Sequence, residues 1–258
     1  MSTLTTKWNP ALYNNKHSFV YDYGKELLDL LNPKANERIL DLGCGSGQLT
    51  YKISELAGET IGIDKSSEMI ADAKSKFPSV TFQVGDAENF NFDKKFDAIF
   101  SNAALHWVKN HKPAIHCMYE NLKENGKIVL EFGGKGNVQT IIHQLRRSLQ
   151  NRDYIKQSEL KLWYFPSVGE YTTELKATGF RILLAEHFDR PTELADKNTG
   201  IKDWISMFAE NFFAGVAPGD VVEIKEEVQE KVKDKCLVKD KWYADYKRIR
   251  IVAVKEKG

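Results

Sequence analysis

Arg38-Ile39-Leu40-Asp41-Leu42-Gly43-Cys44-Gly45-Ser46-Gly47-Gln48-Leu49-Thr50 sets the frame in which the rest of the chain is read. Ile39, Leu40 and Leu42 make the short apolar run of a strand buried on both faces, and glycine then takes every second position. Glycines at 43, 45 and 47 remove the Cβ from a tight turn and let backbone approach a ligand closely. A turn of this kind between a strand and a helix offers backbone N–H groups and the positive end of a helix dipole. The spacing is G-x-G-x-G. A dinucleotide fingerprint requires G-x-G-x-x-G, and Gln48 stands where its last glycine belongs.

Downstream, strands and helices alternate with short connections. Thr60-Ile61-Gly62-Ile63-Asp64 reads as a second strand, a helix follows from Ser66 to Phe77, and Pro78 breaks it. Asp64 lies seventeen residues past Gly47. That is near the ~20-residue distance at which an acid takes ribose hydroxyls in doubly wound folds. Its other reading is a cap for the helix that follows. Val80 to Val84 is strand three, and Asp86 after it is placed either to accept from an adenine amine or to close a turn. Phe96 to Asn102 is strand four and leads into Ala103-Ala104-Leu105-His106-Trp107; Pro113 to Leu122 is helical, Asn125-Gly126 turns, and Lys127 to Phe132 is strand five. The alternation implies a parallel sheet with right-handed crossovers, whose ligands lie beyond the carboxyl ends of the strands. Asp41, Asp64, Asp86 and Asn102 all fall at such ends.

The flanks are less regular. Trp8-Asn9-Pro10-Ala11-Leu12-Tyr13 opens with a helix-start signal, and its two aromatics either pack the segment on the domain or face a ligand. Apolar residues at helical spacing run from Phe19 to Leu31. After strand five come a turn at Gly133-Gly134-Lys135-Gly136-Asn137, a helix from Val138 to about Asn151, and a helix ending at Gly179. Phe180 to Phe188 is strand six. Trp204 to Phe213 is aromatic-rich, Val221, Ile224, Val228 and Val232 mark an amphipathic helix, and Tyr246 to Lys255 is the last strand.

Composition narrows the function classes. The 258 residues are 42% hydrophobic and 28% charged, ordinary for a globular chain with a real core, and the net charge of +1 gives no basic excess for nucleic acid. No run reaches the about 18 apolar residues of a membrane span. The first residues lack the apolar core of a signal peptide, so neither a membrane nor export is expected. The three cysteines, Cys44, Cys117 and Cys236, are widely spaced and read as free thiols of a reducing cytoplasm. No metal is expected: His106, His111 and His116 are five apart, not the i, i+4 pair of H-E-x-x-H, and no cysteine pair has zinc spacing. No G-x-S-x-G elbow is present.

Taken together, these blocks resemble the class I S-adenosylmethionine-dependent methyltransferases, in their trans-aconitate methyltransferase-like branch. The resemblance is carried by Trp8-Asn9-Pro10 with Tyr13, by Leu40 to Gly47, by Gly62-Ile63-Asp64-Lys65-Ser66-Ser67-Glu68-Met69-Ile70, by Ser101 to Trp107, by Gly133 to Asn137, and by Arg190-Pro191-Thr192 and Asp245 to Arg250. It implies an α/β fold with a seven-stranded Rossmann-like sheet of order 3-2-1-4-5-7-6, strand seven antiparallel, in one domain. An N-terminal helical segment (1–34), a core (35–190 and 241–258) and a helical lid insertion (191–240) are expected. S-adenosyl-L-methionine is the implied cofactor, leaving as S-adenosyl-L-homocysteine. Asp64 would take both ribose hydroxyls, Asp86 the adenine amine with the Ala87 N–H beside it, and Met69 one adenine face. Asp41, Gly43, Cys44, Gly45, Gly47 and Asn102 would surround the methionine part, with Asp41 helping to hold its ammonium. Lys65, where many relatives carry a small or polar residue, belongs to the same set. Trp8, Tyr13, His17, His106, Trp107, Gly133 and Arg190 are the candidates for contact with the acceptor. A small carboxylic acid is the leading acceptor because a carboxylate, with a pKa of about 4, needs no base. A phenol or amine would call on His106 or His17. The alternatives are a natural-product or quinone-type hydroxyl or carbon, or a protein that binds the cofactor without turnover. A monomer or homodimer is expected.

Overall fold

In a computed structural model the described residues are 26–256. Residues 26–31 are helical, the end of the apolar run read from Phe19. Then follow β1 (Arg38–Leu42), α1 (Gln48–Ser54), β2 (Glu59–Asp64), α2 (Ser67–Lys76), β3 (Thr81–Val84) and β4 (Phe96–Asn102). A short 3-10 turn over Leu105–Trp107 leads to α3 (His111–Asn121), β5 (Leu122–Gly133), α4 (Gln139–Gln150), α5 (Ile155–Ser158) and α6 (Val168–Thr178). The chain continues as β6 (Phe180–Glu193), α7 (Gly200–Phe208), a second 3-10 turn (Glu210–Phe213), α8 (Pro218–Lys231), α9 (Lys233–Cys236), β7 (Leu237–Val238) and β8 (Lys241–Lys255).

The sheet runs β3-β2-β1-β4-β5-β8-β6. Pairs from β3 to β5 are parallel, and β8 lies antiparallel between β5 and β6. This is the expected order, with one strand more: β7 and β8 form a hairpin closed by Lys239 and Asp240. Both of those residues have positive φ, the twist that suits a two-residue hairpin turn. The expected strand six ended at Phe188, yet β6 stays paired to Glu193, opposite Tyr243. Pro191 is tolerated there because β6 is the sheet edge.

Both sheet faces are covered, as buried parallel strands require. On one face Leu40, Leu42, Ile99, Leu130 and Ile251 pack with Ile115 and Met118 of α3 and Tyr171 and Leu175 of α6. Ser167 and Glu170 make a reciprocal capping box at the start of α6, and Gly179 ends that helix with φ of 107°. On the other face Leu27 and Leu31 meet Ile39, Ile53, Phe100, Val129 and Val252. A separate apolar core joins Leu145 and Leu149 of α4 to Trp204 and Ile205 of α7, Phe212, Ile224 and Val228 of α8, and Trp242, Ala244 and Tyr246 at the start of β8. Since β8 runs against the parallel strands, its start lies at their carboxyl ends, so this helical layer roofs that edge of the sheet. Among the described residues no helix is long and apolar enough to cross a membrane.

Candidate functional site

At the carboxyl end of β1 the glycine turn is fitted to its neighbours with little slack. Gly43, Gly45 and Gly47 have φ of 78°, 54° and 84°, left-handed values that favour glycine. A Cβ on Gly43 would stand 2.2 Å from the Ala104 Cβ, and one on Gly47 2.7 Å from the Phe82 ring. At Gly45, its chain neighbours aside, no atom of the described residues lies within 4 Å of that point. The turn hangs from β2: the Gly43 and Cys44 N–H groups donate to the Ile63 carbonyl at 2.8 and 3.0 Å.

Asp64 ends β2 and faces the same turn. Its Oδ2 accepts from the Gly45 N–H at 2.9 Å and its Oδ1 from the Ser66 N–H at 2.9 Å. The cap of α2 is Ser66, which accepts from the Met69 N–H, so Asp64 is not the capping residue. Burial pushes the Asp64 carboxyl upward against the pull of those amides. Asp41 is more enclosed, 2% exposed, and accepts from the Thr50 hydroxyl at 2.7 Å. Burial, opposed by Thr50 and reinforced by the charge of Asp64, raises it to about 7. Burial and these two carboxyls also push the Cys44 thiol up, which keeps it protonated. Met69 is buried in the first turn of α2.

Past β3, Asp86 accepts from the Glu88 N–H at 3.0 Å and pairs with Lys65 at 2.8 Å. Burial pushes its carboxyl up, but Lys65 and the amide outweigh that and hold it below the usual range. Lys65 therefore bridges the ends of β2 and β3, a pairing that adjacent strand tips allow and that the linear sequence conceals. Ala87 is half-buried against the main core.

Beyond Asn102, Ala103 takes a left-handed φ of 57° and donates to the Glu131 carbonyl at 2.7 Å. That sharp bend is what sets Ala104 against Gly43, joining the glycine turn to the His106-Trp107 segment. His106 is 8% exposed, and its Nδ1 faces the Gly133 N–H at 3.4 Å. Burial and then the charge of Arg248 hold the ring well below the usual histidine range, so it is neutral. His106 and Trp107 line a pocket with Trp163, Phe165, Tyr246 and Arg248. Tyr246 accepts from the Trp204 indole at 2.7 Å, and the Arg248 guanidinium sits 4.5 Å from the Tyr246 ring centre.

Arg190 is placed otherwise than the sequence suggested. Expected as an acceptor contact or a surface ion pair, it is 9% exposed and paired with the buried carboxylate of Glu131. Arg250 holds the same carboxylate at 2.7 Å, and Glu26 reaches both arginines. Glu131 on β5 and Arg250 on β8 stand opposite each other in the sheet, and Arg190 reaches the same carboxylate from β6, one strand beyond β8. Gly133 serves the site through its N–H. Trp8, Tyr13 and His17 lie outside the described residues. The sequence reading missed Thr50, Asn137 and Arg248 as site residues. Thr50 follows Asp41 by more than two helical turns of chain, and Arg248 becomes a pocket residue only because β8 inserts beside β5. Alternation of Tyr246, Arg248 and Arg250 along one strand was the signal that could have found it.

Comparison with known proteins fits this arrangement. A family model described as a methyltransferase domain matches residues 33–178. An uncharacterized methyltransferase, C70.08c of Schizosaccharomyces pombe, is 31% identical over 264 residues, covering 96% of this chain and 98% of its own. A trans-aconitate 2-methyltransferase of Acidovorax sp. (strain JS42) is 32% identical over 147 residues, 56% of each chain. Among solved structures, a putative methyltransferase from Bacillus halodurans superposes with a TM-score of 0.64 at 19% identity, covering 90% of this chain and 98% of that one.

Proposed function

The chain belongs to the methyltransferase-domain family of S-adenosylmethionine-dependent enzymes, and from that premise we propose that it methylates an oxygen of a small carboxylic acid. What supports the cofactor at the strand tips is a Gly45 that no described side chain crowds, the Asp64 carboxyl bonded to its N–H, and the enclosed carboxyl of Asp41 at the end of β1. When bound, S-adenosylmethionine supplies a methyl group on a positively charged sulfonium. Asp64 accepts from the Gly45 and Ser66 amides, with the Lys65 amide also drawing on it, and the two oxygens of a carboxylate offer about four acceptor sites, so capacity remains toward the ribose hydroxyls. Asp86 and the Ala87 N–H would take the adenine edge, Met69 its face, and the turn from Gly43 to Gly47 the methionine part. Asp41, with Thr50 on one oxygen, would contribute to holding the ammonium.

The acceptor would lie in the aromatic pocket. One observation carries this reading: the wall bearing His106 and Trp107 descends from Ala104, which packs on Gly43 of the glycine turn. Acceptor and methyl donor would therefore share one seam, which supplies the alignment an in-line displacement requires. A carboxylate is ionised near pH 7 and needs no base. The relative named for trans-aconitate, a carboxylic acid, supports the same class.

The test is transfer of radiolabelled methyl from S-adenosylmethionine to a panel of acids that includes trans-aconitate, alongside phenols and quinols. A base-labile methyl ester is the expected product. Label found only on a hydroxyl or carbon would replace the acid reading with the natural-product one. Binding of S-adenosylhomocysteine with no transfer to any acceptor or to cell extract would favour a binding protein.

A further inference from the structure

Among the described residues that line the pocket, Arg248, His106 and Asn137 each present a donor. Arg248, on β8, is 6% exposed and carries only N–H donors. His106 turns Nδ1 to the Gly133 N–H, so the neutral ring bears its proton at Nε2. Asn137 is 4% exposed and accepts the Lys247 N–H at 2.8 Å through Oδ1, which leaves its NH2 as the other end of the amide. The remaining walls are aromatic, among them Trp107, Trp163 and Phe165. A buried guanidinium beside a neutral N–H donor in an aromatic surround fits an anion, and the guanidinium's planar fork fits a carboxylate.

We propose that Arg248 and His106 form a donor cradle for the acceptor's carboxylate, Arg248 binding it and the His106 Nε2–H orienting it, and that the aromatic walls select acids with a flat apolar body. The inference rests on the acid-methylation reading above. His106 thereby acts as a hydrogen-bond donor and not as a base. A lone pair of the carboxylate oxygen forms the new O–C bond as the methyl carbon's bond to sulfur breaks; that pair passes to sulfur, and no proton is exchanged.

Sodium cinnamate is the probe and cinnamamide its neutral control, both titrated calorimetrically into enzyme saturated with S-adenosylhomocysteine; ester formation is then followed by mass spectrometry. Cinnamate is expected to bind and the amide to bind about ten-fold or more weakly, with Arg248→Gln abolishing the difference and Arg248→Lys restoring part of it. S-adenosylhomocysteine affinity, measured on every variant, is expected to stay at the parent value and serves as the folding control. His106→Gln keeps an N–H donor with no titratable nitrogen and is expected to retain more turnover than His106→Ala. The cradle is overturned if cinnamate fails to bind, if the amide binds as well as the acid, or if Arg248→Gln and Arg248→Lys both bind like the parent. It is also overturned if His106→Gln is as inactive as His106→Ala. Cinnamate bound through Arg248 but never esterified, with label going to phenols instead, would leave the cradle standing and sink the acid-methylation reading.

Discussion

Asp41 is a carboxyl whose ionisation the fold resists. Its folded value of about 7 lies above the ordinary 3.8, so between those values the unfolded chain ionises while the folded one stays protonated. Its contribution to stability is thus full below about pH 4 and is lost as pH rises through about 7, where it levels off. Asp41→Asn removes that loss. The stability of the variant relative to the parent should rise from pH 4 to pH 8, by on the order of 2–4 kcal/mol, as read from urea titrations at the two pH values. A constant difference would count against the raised value. At Asp64 the expectation concerns the ligand: Asp64→Ala should weaken S-adenosylhomocysteine binding by about ten-fold or more in calorimetry, and parent-like affinity would remove the ribose assignment. At this scale the sequence was informative wherever the residue type itself answers to backbone or strand position. The three turn glycines and the acids at strand ends are of that kind. Lys65 and Arg190 were not legible, since their partners Asp86 and Glu131 lie 21 and 59 positions away and meet them only once the sheet order is set, the first pair at adjacent strand ends and the second across β8.

Among the elements, β5, β8 and β6 are tied by one buried charge. Glu131 on β5, 2% exposed, is gripped by Arg250 of the adjacent β8 and by Arg190 of β6, one strand further on, while both arginine planes lie over Phe188 at 4.9 Å. Removing the carboxylate strands two largely buried guanidinium groups. Glu131→Ala should cost about 3–5 kcal/mol of unfolding free energy, measured by urea denaturation, whereas the exposed Lys65–Asp86 bridge is worth at most about 1 kcal/mol. A loss below about 1 kcal/mol at Glu131 would mean the network does not hold the strands. Most elements could be read from apolar period and from Gly and Pro punctuation, β4 to its end residues. The ends of β6 and β8 could not, because residues 189–193 and 241–245 carry charges and a proline and are extended only through pairing with each other.

In the molecule as a whole, the pocket lies where the helical roof around Trp204 comes down on His106, Trp107 and Arg248 at the edge of the sheet. A ligand at the strand tips binds the folded chain and not the unfolded one. S-adenosylhomocysteine at a hundred times its dissociation constant should therefore add about 2.7 kcal/mol and raise the melting temperature; no shift at saturation would deny a binding site there. The strand order was within reach of the sequence through the family resemblance alone, since no local pattern states that the last strand enters between two earlier ones. That placement reaches back to how the protein is made. While a ribosome is still translating the roof, β5 is paired on its β4 side alone, and the residues of β6, whose strand partner is β8, have nothing to hold them in the sheet. Only when residues 241–255 emerge does the last plank drop in, so a transcript cut short before codon 241 would yield a sticky border at β5, an unplaced β6 and, with them, aggregates.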